Sequence, residues 1–399
     1  MKLHFVIPAY NEEQSIESII KRSLAARQTI IANSPVDEVE ITVVSDGSTD
    51  RTVEIAQRYA DQIKLIVFEK NRGYGAAIKE GWRQSCADFL GFLDADGTCD
   101  PNFFATLCQA LERDKSDVAL GNRMHMRSKM PLVRRVGNFI FAVFLTMFSS
   151  EKVQDTASGM RVIRRSSLPK LIPLPDGMHF TPAISARAIL DQDLKVSELD
   201  MPYHEREGES KLKVWKDGVR FLKVICEAAF LYRPSRPLEL LGIICVIIAT
   251  SLMIFPIHYY LKTRTVAEWM IYRFVVSNLL GTSACLLFCS GYLSRRIVDM
   301  VLFNKRVAWR TGLLSNVINS SLFWYLPLTL FLIGGLLVMP SFEELITTGA
   351  TNEHWSRFIA MSFMYALGII LIGTKLIEYS LTLLDGRLEF LREQKVIMK

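Results

Sequence analysis

Four short polar segments in the first hundred residues carry groups able to do chemistry, each at the end of an apolar run. In LDADG, Leu93 to Gly97, the run FLGF is followed by Asp94 and Asp96, two residues apart. In extended chain such residues point the same way, so both carboxylates can face one ligand. These are hard oxygen donors suited to Mg2+ or Mn2+, and a divalent ion is the usual means of neutralising a diphosphate. An ordinary turn is the plainer alternative. VSDGSTDRT, Val44 to Thr52, puts Asp46 at a strand tip, where a carboxylate either accepts the ring N–H of a uracil or guanine or closes an Asx turn. NRGYGAAIKEG, Asn71 to Gly81, sets Gly73 and Gly75 at a helix start, where backbone N–H groups and the helix dipole suit a diphosphate, or where a simple turn needs glycine. It has neither a GKS/T ending nor GxGxxG spacing, which argues against ATPase and dinucleotide sites. PAYNEE, Pro8 to Glu13, ends the first run with a cap-like Asn11 and two acids that any strand-to-helix turn accepts.

Holding these segments together requires a particular scaffold. LHFVIPAY, EITVVSD, KLIVFE, FLGFLDAD and VALGNR read as strands, and helical periodicity begins near Glu12, Thr52, Ala76 and Asn102. That βαβ rhythm predicts a Rossmann-like, mostly parallel, doubly wound α/β sheet, with ligands at the carboxyl ends of the strands. The four polar segments therefore converge on one crevice.

The chain changes character near residue 235. Residues 1–235 mix charged and apolar positions, whereas residues 236–399 carry long apolar runs with charge confined to the gaps. Four spans are expected, Leu238 to Tyr260, Tyr272 to Leu293, Leu314 to Met339 and Phe358 to Leu384, giving an all-α transmembrane domain. Arg295, Arg296, Lys305, Arg306 and Arg310 lie between the second and third, and Glu343, Glu344 and Glu353 between the third and fourth. The positive-inside rule then places both termini and the first domain in the cytoplasm. The apolar stretch at the N-terminus is too short for a signal peptide, in keeping with that topology. Val136 to Phe148 is apolar but too short to span, so it is either a core helix or one lying in the membrane plane. Val219 to Tyr232 is amphipathic and leads into the first span.

The net charge is +6, from 47 Lys and Arg against 41 Asp and Glu, with no basic run interleaved with aromatics, which excludes a nucleic-acid groove. The seven cysteines form no CxxC pair and no zinc spacing, consistent with a reducing compartment.

Taken in this order and spacing, the four segments resemble the nucleotide-binding half of family-2 inverting glycosyltransferases with the GT-A fold. On that resemblance DADG corresponds to the family's DXD motif, with Asp94 and Asp96 at the metal. Asp46 reads the base, Pro8, Tyr10 and Glu12 line the nucleoside, and Gly73 and Gly75 approach the diphosphate. GNR (Gly121 to Arg123), the Arg134/Arg135 pair, DTASGMRVIRR (Asp155 to Arg165) and REGESK (Arg206 to Lys211) look like dolichyl-phosphate mannose synthases and bacterial polyprenyl-phosphate glucosyltransferases. The likeness covers about residues 3 to 235.

The resemblance implies a nucleotide-sugar donor, a polyprenyl phosphate acceptor and a membrane setting, and is compatible with a homo-oligomer. It gives the acceptor phosphate Arg123, Arg134, Arg135, Arg206, Ser210 and Lys211. His179 of GMHFTP either touches that phosphate or packs in the core. Asp155 orients the acceptor or anchors its own loop; with Asp96, Arg206 and Lys211 it completes the catalytic candidates. Ser45 stands where many relatives carry a second acid, which leaves UDP- and GDP-sugars both open. A processive polysaccharide synthase would share the donor half but carry a QxxRW motif, absent here. A non-catalytic lipid transporter or scaffold would not need Asp46, Asp94, Asp96 and Arg206 together.

Overall fold

The computed structural model describes residues 1–125, 128, 130–149, 151–205, 214–303, 313–351 and 353–397. The chain divides into two compact units, Met1–Tyr232 and Arg233–Lys399.

In the first unit seven strands form one sheet: β1 (Lys2–Ala9), β2 (Glu38–Asp46), β3 (Lys64–Phe68), β4 (Phe89–Leu93), β5 (Val118–Asn122), β6 (Met160–Arg164) and β7 (Val196–Asp200). Their order is β3-β2-β1-β4-β6-β5-β7. β3, β2, β1 and β4 run parallel, β6 is antiparallel to both its neighbours, and β5 and β7 are parallel. The helices between them are α1 (Ile16–Ala32), α2 (Thr52–Gln57), α3 (Tyr74–Arg83), α4 (Phe104–Arg113), α5 (Leu132–Phe148), α6 (Leu168–Leu171), α7 (Phe180–Leu190) and α8 (Val214–Tyr232).

β1 is buried from Leu3 to Ala9, as a central strand covered on both faces must be. Its Leu3, Phe5 and Ile7 join a cluster with Ile16, Ile19 and Ile20 of α1 and Phe104 of α4. Val6, on the alternate face, joins Ile78 and Trp82 of α3 and Phe180 and Ile184 of α7. The five expected strands are all present. β6 and β7 were hidden because MRVIR carries two arginines and VSELD stays half-exposed, so neither shows an apolar run.

α5, which contains Val136 to Phe148, has two unlike faces. Asn138, Ala142, Leu145 and Phe148 are buried, while Leu132, Val133, Val136, Phe139, Ile140, Val143 and Met147 are exposed on the other side. A core helix would not leave such a face uncovered. α8 meets α5 through Phe221 and Phe141, ring centroids 5.7 Å apart, and exposes Trp215, Val219 and Leu222.

The second unit holds α9 (Ser235–Thr263), α10 (Ile271–Val298), α11 (Leu313–Ile318), α12 (Tyr325–Thr348) and α13 (Trp355–Ile397). Among the described residues four helical stretches are long and apolar enough to cross a membrane: Ser235–Thr263, Glu268–Phe303, Tyr325–Thr348 and Trp355–Leu388. The third begins later than expected, because the chain from Leu314 onward is two pieces rather than one. Just past α11, the Asn319 side-chain amide donates to the Ser315 carbonyl (2.9 Å) and to the Tyr292 hydroxyl (3.2 Å).

Candidate active site

The carboxyl ends of β1 and β2 are laced together by their loops. Asn11, in the left-handed region at φ 52°, accepts from the Thr49 amide at 2.8 Å, while its own amide donates to Ser48 Oγ at 3.1 Å. The Glu12 amide reaches Thr52 Oγ1 at 2.9 Å and the Glu13 amide reaches Asp50 Oδ2 at 3.1 Å. Pro8 is buried beneath this seam, Tyr10 is 38% exposed beside it, and Glu12 is half-buried. Asp46 is buried, and its two carboxylate oxygens accept from the amides of Arg72 (2.6 Å) and Gly73 (2.9 Å). It therefore fixes the glycine loop, and a base can reach it only through lone pairs those bonds leave over.

The fold itself requires glycine at two positions of this loop. Gly73 lies at φ 107°, and an added Cβ there would overlap the Asp176 carbonyl; at Gly75 it would overlap the Pro175 carbonyl. The Ala76 amide in the first turn of α3 donates to the Asp176 carbonyl at 3.1 Å. Lys79 Nζ lies 2.7 Å from the Leu174 carbonyl and 2.6 Å from Asp176 Oδ1. Gly73 and Gly75 thus admit the Pro175–Gly177 segment against α3.

DADG begins where β4 ends. Asp94 is half-buried; it accepts from the Tyr74 hydroxyl at 2.6 Å, and its amide donates to the Gly159 carbonyl at 3.2 Å. Asp96 is buried, with Oδ1 accepting from the Thr98 amide (3.2 Å) and hydroxyl (2.6 Å), and Gly97 at φ 72° closes the turn. Among the described residues no group of three or more His, Cys, Asp or Glu gathers as a metal cage. Two carboxylates without a cage fit Mg2+ or Mn2+, which take one or two acidic ligands and complete their shell with water and substrate phosphate.

Asp155 and Arg123 form the most buried ion pair of this end. Asp155 is fully buried; Arg123 Nε lies 2.7 Å from Oδ2 and Nη2 2.9 Å from Oδ1, and the Arg123 amide adds a third bond at 3.0 Å. Asn138 Nδ2 donates to Oδ1 at 2.8 Å. Burial alone would push the Asp155 carboxyl up, yet Arg123 holds it below the usual range. Asp155 thus anchors its loop to the end of β5 and to α5, one of the two roles expected of it. Arg123 spends Nε and Nη2 on Asp155 and the Ala157 carbonyl (2.6 Å).

Arg134 is half-buried on α5, and Arg135 Nη2 donates to the Ser128 carbonyl at 3.0 Å. His179 caps α7; burial lowers its pKa, so it is neutral near pH 7, and its enclosed Nδ1 has no hydrogen-bond partner. Arg206, Ser210 and Lys211 lie outside the described residues.

Two residues of the site escaped the sequence reading. Tyr74 bonds Asp94, and Arg161 of β6 is a fully buried guanidinium that donates to the carbonyls of Ser158 (3.2 Å) and Thr156 (2.9 Å). Burial draws the Arg161 pKa down to about 10, with Asp155 opposing. The available signal was an arginine inside the otherwise apolar MRVI, since arginine is seldom fully buried without a partner.

Residues 4–172 match the glycosyl transferase family 2 profile. That stretch is similar to a family 2 glycosyl transferase domain. Among characterised relatives of that domain is the low-salt glycan biosynthesis hexosyltransferase Agl6 of Haloferax volcanii, 31% identical over 62% of this chain and 60% of that protein. The dolichyl-phosphate beta-glucosyltransferase ALG5C of Trichomonas vaginalis is 29% identical over 53% of this chain and 66% of its own length. The undecaprenyl-phosphate 4-deoxy-4-formamido-L-arabinose transferase of Photorhabdus laumondii is 29% identical over 63% of this chain and 73% of its own. The match thus spans under two thirds of the length of the first two.

Proposed function

We propose that the chain transfers a single sugar from a UDP- or GDP-sugar to a polyprenyl phosphate, with inversion at the anomeric carbon. The observation that carries this reading is the DADG turn. In a family 2 domain, Asp94 and Asp96 stand at the end of β4, beside the loops that Asp46 and Asn11 hold at the ends of β2 and β1. The acceptor class rests on the names of two of the relatives, which specify dolichyl and undecaprenyl phosphates.

A phosphate monoester is already anionic near neutral pH, so it needs little help from a general base. The task left to the protein is to hold two phosphate-bearing substrates together against their repulsion. Arg134, Arg135, Arg206 and Lys211 are the cations proposed for it, with Ser210 as a further donor and His179 as a neutral neighbour. Asp94 and Asp96 would hold Mg2+ or Mn2+, which when bound neutralises the leaving diphosphate. Pro8, Tyr10 and Glu12 would border the nucleoside. Double displacement would require a carboxylate behind the sugar. Asp155, the candidate for that role, is enclosed by Arg123 and Asn138, which favours a single displacement.

The exposed apolar faces of α5 and α8 are proposed to lie on the bilayer surface, and the first unit to face the cytoplasm, where nucleotide sugars are made. A reporter fused after Lys399 should then be cytoplasmic, and one placed between Glu344 and Asn352 external. The deciding experiment incubates purified protein and polyprenyl phosphate with a panel of labelled nucleotide sugars and extracts the lipid. A mild-acid-labile lipid monosaccharide is expected, β-linked when the donor is an α-linked nucleotide sugar. A product that keeps the donor's anomeric configuration would overturn single displacement, and a sugar polymer or no lipid-soluble label would overturn the reading.

A further inference from the structure

We propose that Tyr74 is a positioning residue for Asp94: its hydroxyl selects the carboxylate orientation with which Asp94 meets the divalent ion of a nucleotide diphosphate. This rests on the metal reading given above and adds a residue to it.

The backbone of Tyr74 is fixed before its side chain acts. It opens α3 directly after Arg72 and Gly73, whose amides are both bound by Asp46. The ring is then wedged edge-on between two fully buried phenylalanines, with centroids 6.3 Å from Phe92 and 6.4 Å from Phe180, which are themselves 5.9 Å apart. From there the hydroxyl reaches Asp94 Oδ1 at 2.6 Å, short in the manner of charge-assisted bonds. A carboxylate only accepts, so the phenol is the donor of this bond. Asp94 is held from its other side as well. Its amide bonds the Gly159 carbonyl, and a Cβ on Gly159 would overlap Asp94 Oδ2.

Two elements therefore close on one carboxylate, the start of α3 against Oδ1 and the turn into β6 against Oδ2. A tyrosine that only filled the core would leave no trace on metal binding when its hydroxyl was removed. Groups that hydrogen-bond a metal's carboxylate ligand, by contrast, cost about 10- to 100-fold in metal affinity or activity when deleted.

The test uses the full chain in detergent. Mn2+ is titrated in the presence of UDP, and separately GDP, following the free-Mn2+ electron paramagnetic resonance signal for wild type, Tyr74→Phe and Gly159→Ala. A thermal melt accompanies each. Tyr74→Phe should weaken Mn2+ binding at least about tenfold, lower kcat more than it raises the nucleotide-sugar KM, and leave the melt nearly unchanged. Gly159→Ala should weaken Mn2+ binding in the same way by displacing the same carboxylate. Wild-type Mn2+ affinity in Tyr74→Phe would overturn the assignment alone. Failure of the wild type to bind Mn2+ with either nucleotide would overturn the metal reading, and this one with it.

Discussion

The two ends of the sheet in the first unit handle charge in opposite ways. At the amino end a groove of about 440 Å3 is bordered by His4, Arg27, Glu38, Glu40, Thr42 and Lys64. Its acids are exposed and met by Lys2, 3.1 Å from Glu38 and 2.6 Å from Glu40. Its one fully buried titratable group, His4, has surrendered its charge: burial pulls the imidazole down to about 4, and Nε2 contacts Thr42 Oγ1 at 2.8 Å. At the carboxyl end Asp46, Asp96, Arg123, Asp155 and Arg161 are all buried, and the Arg123–Asp155 pair remains charged. Burying an ion without a partner costs several kcal/mol, so keeping one demands matched partners, whereas letting histidine go neutral demands none. The lesson is that the charge retained under the crevice, and not the size of a cavity, separates the proposed working end from the other.

The largest expected effect breaks the retained pair. Asp155→Ala leaves Arg123 buried without its carboxylate and should cost about 3–5 kcal/mol of stability, read by chemical denaturation. Arg123→Met with Asp155→Leu should recover most of that loss, because apolar side chains of similar volume remove both charges together. A loss below about 1 kcal/mol in Asp155→Ala would mean that the pair is not what holds the loops.

Asp96→Asn tests the same end through chemistry. Asparagine keeps an oxygen for the Thr98 amide and hydroxyl, so the turn should survive and the melt should change little. Transfer should fall about 10²- to 10³-fold, equivalent to about 3–4 kcal/mol of transition-state stabilisation. Undiminished turnover, or full activity in a metal chelator, would separate Asp96 from the reaction.

Those two carboxylates differ in how plainly the chain announced them. Asp96 and Asp46 were legible as carboxylates at the ends of apolar strands, and both are buried there, while the choice between ligand and turn stayed open. Asp155 was read only as a choice between orienting and anchoring, since a sequence does not show that Arg123 and Asn138 close around it from two other elements. Gly73 and Gly75 were read only as a diphosphate loop or a simple turn for a related reason. Glycines at a helix start suit either a ligand or a neighbouring backbone, and only the fold brings Pro175–Gly177 against them. The parallel strands were visible as apolar runs, whereas β6 was not, because Arg161 interrupts its pattern from inside the core. In the second unit the four spans were visible from length and hydropathy, whereas the break after Ile318 was not, since an apolar run does not show where a helix stops inside it.

At the amino end the comparison turns on His4. Its folded pKa of about 4 is below the ordinary 6.5, so between those values the unfolded chain binds the proton that the folded chain refuses. Stability contributed by neutral His4 is fully present above about pH 6.5 and is lost as pH falls toward about 4, by up to about 3 kcal/mol. The melting temperature of the intact chain should fall across that window, and His4→Gln should flatten the slope. A wild-type slope retained in His4→Gln would assign the acid sensitivity to other groups.

The smallest expected effect is the sharpest check on the idea that the amino end is idle. Lys2 and Glu38 are paired in the open, with 32% and 64% of their side-chain surface exposed, and exposed pairs contribute about 0–1 kcal/mol. Glu38→Gln should therefore move the melting temperature by no more than about 2–4 °C. Lys64→Glu reverses a charge on the groove wall, which any charged ligand bound there would register. If the groove has no part in transfer, both variants should keep wild-type kcat and wild-type KM for nucleotide sugar and for polyprenyl phosphate, because neither residue approaches the carboxyl ends of β1, β2 and β4. A tenfold change in either constant in Lys64→Glu, with the melt intact, would make the groove a second working site and remove the contrast between the two ends.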